Sequence, residues 1–567
     1  DSGQGGEEEV VLVVGKQEPG VDIERKMIFA AAAALARRLF LDEEEASREQ
    51  FYALLSEMMK KPEDALEASE FLLFLVEDIL SVSAESWKGN SSLRRSIERE
   101  LAIKTRERFA HGGYLARIFI LASSAAHQAT TNQGISCDTI ASCLSICAAV
   151  LTSDFGEHAS TVVSTANQSE TSSVVVSSRR GDVWRPILNE LSSFADICFL
   201  CLDIATDFDH LEASQASRQC IAHMAALVPE EPWGKPLTSK ILASMERRNL
   251  GRSRDHSNRF HYAETWRRLV ASRSIDYLIA PDLVGHLDAF TAVCLDHMVT
   301  ESYLDESDES WEEDCRDLML ATWSSLAATD EGSLNLQHGL DAILFFRRKL
   351  LAVAEAFVKG QLLRGGQHEK VFGDEEVTEF EDLSLEEARI EYLSMMLRKA
   401  AQEGSVELLC PLLRTRCEEL KRRTRAPEHL PSLLEEIYLL VSLTGAVLAD
   451  AETSNPTPPP EMRQGGITNG FPTHGSRLIN ELLFAAETES FLLRNLGAHA
   501  VELSPRVGTA MADCLARVCA TYFFPLDSDL SDVVIPEMGA AGRSLSLGKA
   551  VENLTVRGGE PDVDVAS

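Results

Sequence analysis

A chain of 567 residues is too long for one compact core, because single cores stop growing at about 250–300 residues; it folds as several domains or as one elongated array. Its 45% hydrophobic and 25% charged residues are those of a folded protein and exclude wholesale disorder. A formal net charge of −35, from 54 basic and 89 acidic side chains, opposes binding to nucleic acid or an anionic membrane surface and favours basic protein partners.

Residues 1–20 form an acidic start expected to lack order, the reverse of a signal-peptide n-region, and with no initiating Met the chain reads as a fragment. Residues 10–14 (VVLVV), followed by Gly15 and Lys16, superficially suggest a strand entering a phosphate loop. Gln17 stands where that loop needs Ser or Thr, and the glycines are missing, so no nucleotide site is expected. From Val21 on, helix formers dominate and runs of β-branched residues are scarce, which predicts an all-α fold. Apolar residues recur at i, i+3, i+4 and i+7 in one amphipathic helix after another.

The predicted organisation is helical repeats over 21–155, a Ser/Thr-rich mobile linker over 156–182 open to phosphorylation, and further repeats over 183–365 with a basic loop near 247–261. That loop holds Arg247, Arg248, Arg252, Arg254 and Arg259. An acidic loop over 366–383 precedes repeats over 384–450, and a Pro/Gly loop over 451–475 precedes a helix pair over 476–526. The remainder, 527–567, is expected to be a disordered tail or a truncated edge.

The periodicity is clearest in the second half. A stripe of Ile390, Leu393, Leu397 and Ala400 ends before Gly404, and Ser405 is placed to cap a second helix striped by Val406, Leu409, Leu413, Cys417 and Leu420. Pro431 and Ser432 open a third, with Leu434, Ile437, Leu440, Val441, Thr444 and Leu448 on one face. Two such helices with their turns make a unit of about 40 residues, the size of a HEAT or armadillo repeat, and roughly nine such pairs fit the chain. Neither helix of a pair can bury its stripe alone. Stacked pairs bury the stripes against each other, so the expected architecture is an α-solenoid of antiparallel HEAT-like pairs with an extended binding surface.

No constellation carries catalytic chemistry, and an enzyme is not expected. Cys198 and Cys201 have the spacing of a thiol pair but lie in an apolar run without a second pair, which predicts core cysteines; the twelve cysteines as a set read as reduced and buried. His286 and His297 are eleven residues apart, three helical turns and not a ligand spacing, and His256 and His261 flank the basic loop. No Gly-x-Ser-x-Gly or His-Glu-x-x-His motif occurs, no cofactor or metal is implied, and no run of about 18 apolar residues stands out to span a bilayer. Residues 421–425 (KRRTR) read first as a cationic helix end facing the dipole, and second as a nuclear-localisation-like patch.

Two acidic runs are the polar features that point to a partner. One surrounds Trp311 and holds Asp308, Glu309, Glu312 and Glu313; the other holds Glu375, Glu376, Glu379, Glu381, Asp382, Glu386 and Glu387. The plain expectation is a solvated loop and helix N-terminus, where carboxylates are favoured. The functional alternative is a negative rim that steers a basic partner and holds its lysines.

Five blocks in order resemble the karyopherins of the importin-β superfamily, on their exportin branch. They are Glu264, Thr265, Trp266, Arg267 and Arg268 leading to residues 272–277; residues 317–326 (DLMLATWSSL); residues 408–420 with the acidic helix before them; residues 434–450 with the proline loop to Met462; and residues 478–483, Glu489, 503–505 and 521–522. The resemblance spans about residues 23–524, leaving the family's first repeats without a counterpart before Val21 and its last after Asp527. It implies a nuclear transport receptor shuttling between nucleus and cytoplasm, binding Ran-GTP, nucleoporins and a protein cargo. A basic cargo, among them the hypusine-bearing translation factor of the family, suits the acidic surface. Helix pairs alone leave open a HEAT scaffold or adaptor subunit without Ran dependence.

Overall fold

The structure is a computed structural model that describes residues 19–42, 45–81, 113–131, 136–152, 185–227, 233–273, 275–299, 306–328, 339–365, 379–401, 404–423, 430–449, 459, 462, 474–496 and 505–523. Of these, 92% are helical and none is in a strand. The expected Ser/Thr-rich linker, most of the Pro/Gly loop and the tail beyond 526 lie outside the described residues, as do residues 1–18 of the acidic start.

Two compact units divide near Ser244 and Met245. The first holds α1 (Pro19–Asp42), α2 (Glu45–Lys60), α3 (Pro62–Ser81), α4 (Tyr114–Thr131), α5 (Cys137–Thr152), α6 (Arg185–Asp207), α7 (Leu211–Ala226) and most of α8 (Gly234–Arg247). Pro62 opens α3 at the position where a missing N–H costs nothing, and Glu63 and Asp64 face its dipole. Helices α3, α5 and α7 pack in succession, α2, α4 and α6 pack in succession beside them, and each member of one row touches its partner in the other. The apolar stripes face inward between the rows, where Phe119 of α4 meets Phe194 of α6 edge-on at 4.8 Å.

In the second unit come α9 (His256–Ser272), the single turn α10 (Ile275–Leu278), α11 (Val284–Val299), α12 (Glu306–Ala327), α13 (Leu340–Gly365), α14 (Glu379–Lys399), α15 (Ser405–Arg423), α16 (Leu430–Leu448), α17 (His474–Leu496) and α18 (Pro505–Val518). Helices α9, α12, α14, α16 and α18 pack in sequence along one row. On the other side, α11 touches α13 and α15 touches α17, and the pairs α11/α12, α13/α14, α15/α16 and α17/α18 join the two sides. All-α, helix paired with helix in repeating order, is therefore the observed class.

Every member of the three stripes expected in the second half is buried, from Ile390 through Leu448. The caps differ from expectation. Ser405 does not cap α15: it is the first helical residue, fully buried, with its hydroxyl oxygen unpartnered, while Gly404 turns the chain at φ +131° and its carbonyl accepts from the Leu408 N–H. The basic loop near 247–261 is largely structured. Arg247 ends α8, residues 250–252 make a 3-10 turn, and Asp255 caps α9 by accepting from the Ser257 N–H at 2.9 Å, so Arg259 and His261 are helical. The signal in the sequence is Asp255, an N-cap residue within the charge cluster. The acidic segment also ends sooner than 383, since α14 starts at Glu379.

Among the described residues one helix, α16, is long and apolar enough to cross a membrane, where no such run was expected from the sequence. It packs against α14, α15, α17 and α18, and side chains close its C-terminal carbonyls: Arg398 donates to Val447 and Ala446, and the Tyr522 hydroxyl donates to Leu448. That is the environment of a core helix.

Candidate partner-binding surface

Several residues of the two acidic runs are tied down within the fold. Glu312 of α12 accepts from Arg259 of α9 at 2.8 Å, and both are largely buried. One turn later Asp317 takes the Arg389 guanidinium of α14 in two parallel bonds of 2.6 and 2.7 Å, with Glu313 at 3.7 Å from the same group. Further along, Arg506 of α18 lies 4.1 Å over the Tyr438 ring and bridges Glu386 of α14 and Glu435 of α16. Successive members of one row are thereby joined by ion pairs, and three of the residues expected in a partner-binding rim, Glu312, Glu313 and Glu386, serve as their carboxylates.

Glu387 is exposed. Asp308 and Glu309 fall in the first turn of α12, and Glu379, Glu381 and Asp382 in the first turn of α14. Glu375 and Glu376 lie outside the described residues. Burial, followed by repulsion from Asp317 and Glu313, raises the Asp314 carboxyl above its ordinary range, which disfavours its charged form. Trp311 is 49% exposed there and stands edge-on to Phe260 at 6.1 Å.

The cationic end of α15 matches the dipole reading. Lys421 lies 4.1 Å over the Phe484 ring, and Arg422 and Arg423 both reach Glu419; Thr424 and Arg425 lie outside the described residues. His286 pairs with Glu246 at 2.7 Å, and His297 donates Nε2–H to the Gly251 carbonyl at 2.8 Å. Among the described residues no group of three or more His, Cys, Asp or Glu could hold a metal ion. Cys198 and Cys201 are fully buried and all twelve cysteines are free. Burial pushes the Cys143 thiol up to about 12 and that of Cys514 to about 11, which makes them poor nucleophiles.

The residues that carry the sequence resemblance sit mainly in the core. Trp266 of α9 stacks on Phe290 of α11 at 4.4 Å, and Phe290 stacks on Trp323 of α12 at 5.8 Å. Burial raises the Glu264 carboxyl, but hydrogen bonds from Arg267 and Arg268 more than offset this and hold it below its ordinary value. Sequence reasoning missed the arginines that tie the rows, because Arg259, Arg389 and Arg506 find carboxylates 53, 72 and 120 residues away. An apolar crevice between α2, α3 and α4, lined by Leu55, Leu72, Ile118 and Leu121 among others, has about 10 Å³ of free space, no more than one water would need.

No family model and no curated protein sequence matches the chain. Among solved structures, the crystal structure of an engineered protein aligns over 89% of this chain and 98% of its own, at 11% identity and a TM-score of 0.32.

Proposed function

We propose that the chain is a nuclear transport receptor similar to exportin-4, an α-solenoid of HEAT-like pairs that takes a basic protein cargo together with Ran-GTP and passes the nuclear pore by way of nucleoporins, moving between nucleus and cytoplasm. The ordered set of five sequence blocks carries this reading. It is supported by where those blocks fall: Trp266 and Trp323 share one ring stack, and Thr444, Gly445 and Leu448 lie in the buried crossings of α16, so the likeness involves residues that set helix packing. The exposed Glu387 and the acidic runs of the sequence suit a basic cargo. In this reading the protein acts by binding alone. Ran and cargo each favour one curvature of the helical array and so raise each other's affinity.

The repeated pairing of helices also favours a second reading, a scaffold or adaptor subunit without Ran dependence. A pull-down with the full-length protein, using Ran loaded with GTP or GDP and a basic cargo, separates them. Capture that requires GTP and strengthens with cargo is the expected result. Capture indifferent to Ran and its nucleotide, together with a fixed set of subunits, would leave the scaffold.

A further inference from the structure

We propose that Ser257 is a phosphorylation site for an arginine-directed serine kinase. The chain is acidic as a whole, yet residues 247–259 hold Arg247, Arg248, Arg252, Arg254 and Arg259 against the single carboxylate of Asp255. Within that segment Arg252 and Arg254 stand five and three residues before Ser257. Kinases select substrates by charge pattern, and an acidic cleft that reads arginines ahead of the target hydroxyl fits this spacing. No other serine or threonine of the chain has arginine at both positions.

The structure keeps this motif within reach. Arg252 ends the 3-10 turn, and residues 253–255 lie outside any helix before α9 begins at His256. Arg254 is exposed and, among the described residues, has no ion-pair partner, so it is free to enter a cleft. Arg252 is also exposed, 2.6 Å from Asp296. Ser257, the second residue of α9, is half-buried, and its hydroxyl makes no hydrogen bond among the described residues. A kinase takes its substrate extended, so the first turn of α9 has to open. What holds that turn is local: the Asp255 carboxylate accepts from the Ser257 N–H at 2.9 Å, and the Asp255 carbonyl accepts from the N–H groups of Asn258 and Arg259 at 3.2 and 3.3 Å. Helix ends open far more readily than a whole fold, because so few bonds have to break.

In the transfer, the Ser257 hydroxyl oxygen attacks the γ-phosphorus of ATP. The new O–P bond forms as the bond to the β–γ bridging oxygen breaks, ADP leaves, and the hydroxyl proton passes to the kinase's catalytic carboxylate. The phosphate brings about two negative charges to the first turn of α9, where the helix dipole and Arg254 favour it and Asp255 opposes it. The inference does not rest on the transport reading, since it needs neither Ran nor cargo.

The test incubates the folded full chain with ATP and a serine kinase that selects arginine at both positions, and maps the phosphate by peptide mass spectrometry. Phosphate is expected on Ser257, Ser257→Ala should abolish it, and Arg254→Gln should slow its incorporation at least about tenfold, the loss of one charge-assisted contact. Arg247→Gln removes the same charge outside the spacing and should leave the rate unchanged. A synthetic peptide of residues 248–262 serves as the unfolded reference. Phosphate on the peptide but not on the folded chain would overturn the proposal, because the fold would then shield Ser257. So would phosphate on neither, mapping to a different residue, or equal slowing by R254Q and R247Q, which would mean that the kinase reads general charge and not this spacing.

Discussion

His297 shows how a single half-buried side chain couples this fold to pH. Burial lowers its pKa below the ordinary 6.5; the Gly251 carbonyl and Glu312 pull the other way, and Arg259 and Arg316 add to the lowering. The folded protein thus keeps the imidazole neutral at a pH where the unfolded chain protonates it. The unfolded state binds the extra proton, so the stability due to this site is present above pH 6.5 and falls as pH drops from there toward the lowered folded value. His297→Gln keeps a donor for the Gly251 carbonyl and removes the titration. Urea unfolding at a series of pH values between 7 and 5 should show a steeper loss for the parent than for H297Q, and parallel curves would refute the assignment. This site was not legible in the sequence: His297 was read there only as failing to pair with His286, and its partner lies 46 residues away across a 3-10 turn.

At the level of the element, the crossing of α16 and α18 depends on an absent side chain. A Cβ built on Gly445 would come 2.1 Å from the Cys514 sulfur and 2.8 Å from its Cβ. Gly445→Ala therefore forces the two helices apart, and overpacking of this kind costs about 1–3 kcal/mol. Cys514→Ala in the same chain removes the sulfur clash but leaves the Cβ contact, and it also forfeits the Sγ–H contact to the Val441 carbonyl at 3.3 Å. Thermal unfolding should accordingly show a clear drop for G445A and only partial recovery in the double variant. Full recovery would mean that the sulfur alone sets the spacing. Helices such as α14, α15 and α16 were readable because each stripe is a local pattern with period near 3.6, and their buried residues are the ones that pattern names. The start of α15 was not, because Gly404 takes the turn at φ +131°, with Leu351 of α13 lying 3.3 Å from where its Cβ would be, so Ser405 enters as the first helical residue and not as the cap.

For the molecule as a whole, the net charge of −35 cannot be treated as one uniform surface. Some of its carboxylates are paired within the fold. Glu312, Glu313 and Glu386 meet Arg259, Arg389 and Arg506 across the row of helices from α9 to α18, and removing one partner of such a pair leaves the other charge without compensation. The sequence placed all of these residues in one acidic class, because composition along the chain carries no sign of which carboxylate will find a distant arginine. Two sets of charge reversals distinguish the roles. Changing Glu312, Glu313 and Glu386 together to Lys should lower the unfolding midpoint and disturb every binding activity alike. Reversing Glu375, Glu376, Glu379 and Glu381 together should instead slow association with a basic partner, measured as the association rate at low salt, while the unfolding midpoint stays within the small change expected for exposed charges, under about 1 kcal/mol. If the second set unfolds the chain and leaves the association rate unchanged, those carboxylates hold the fold, and a basic partner must find its negative charge elsewhere.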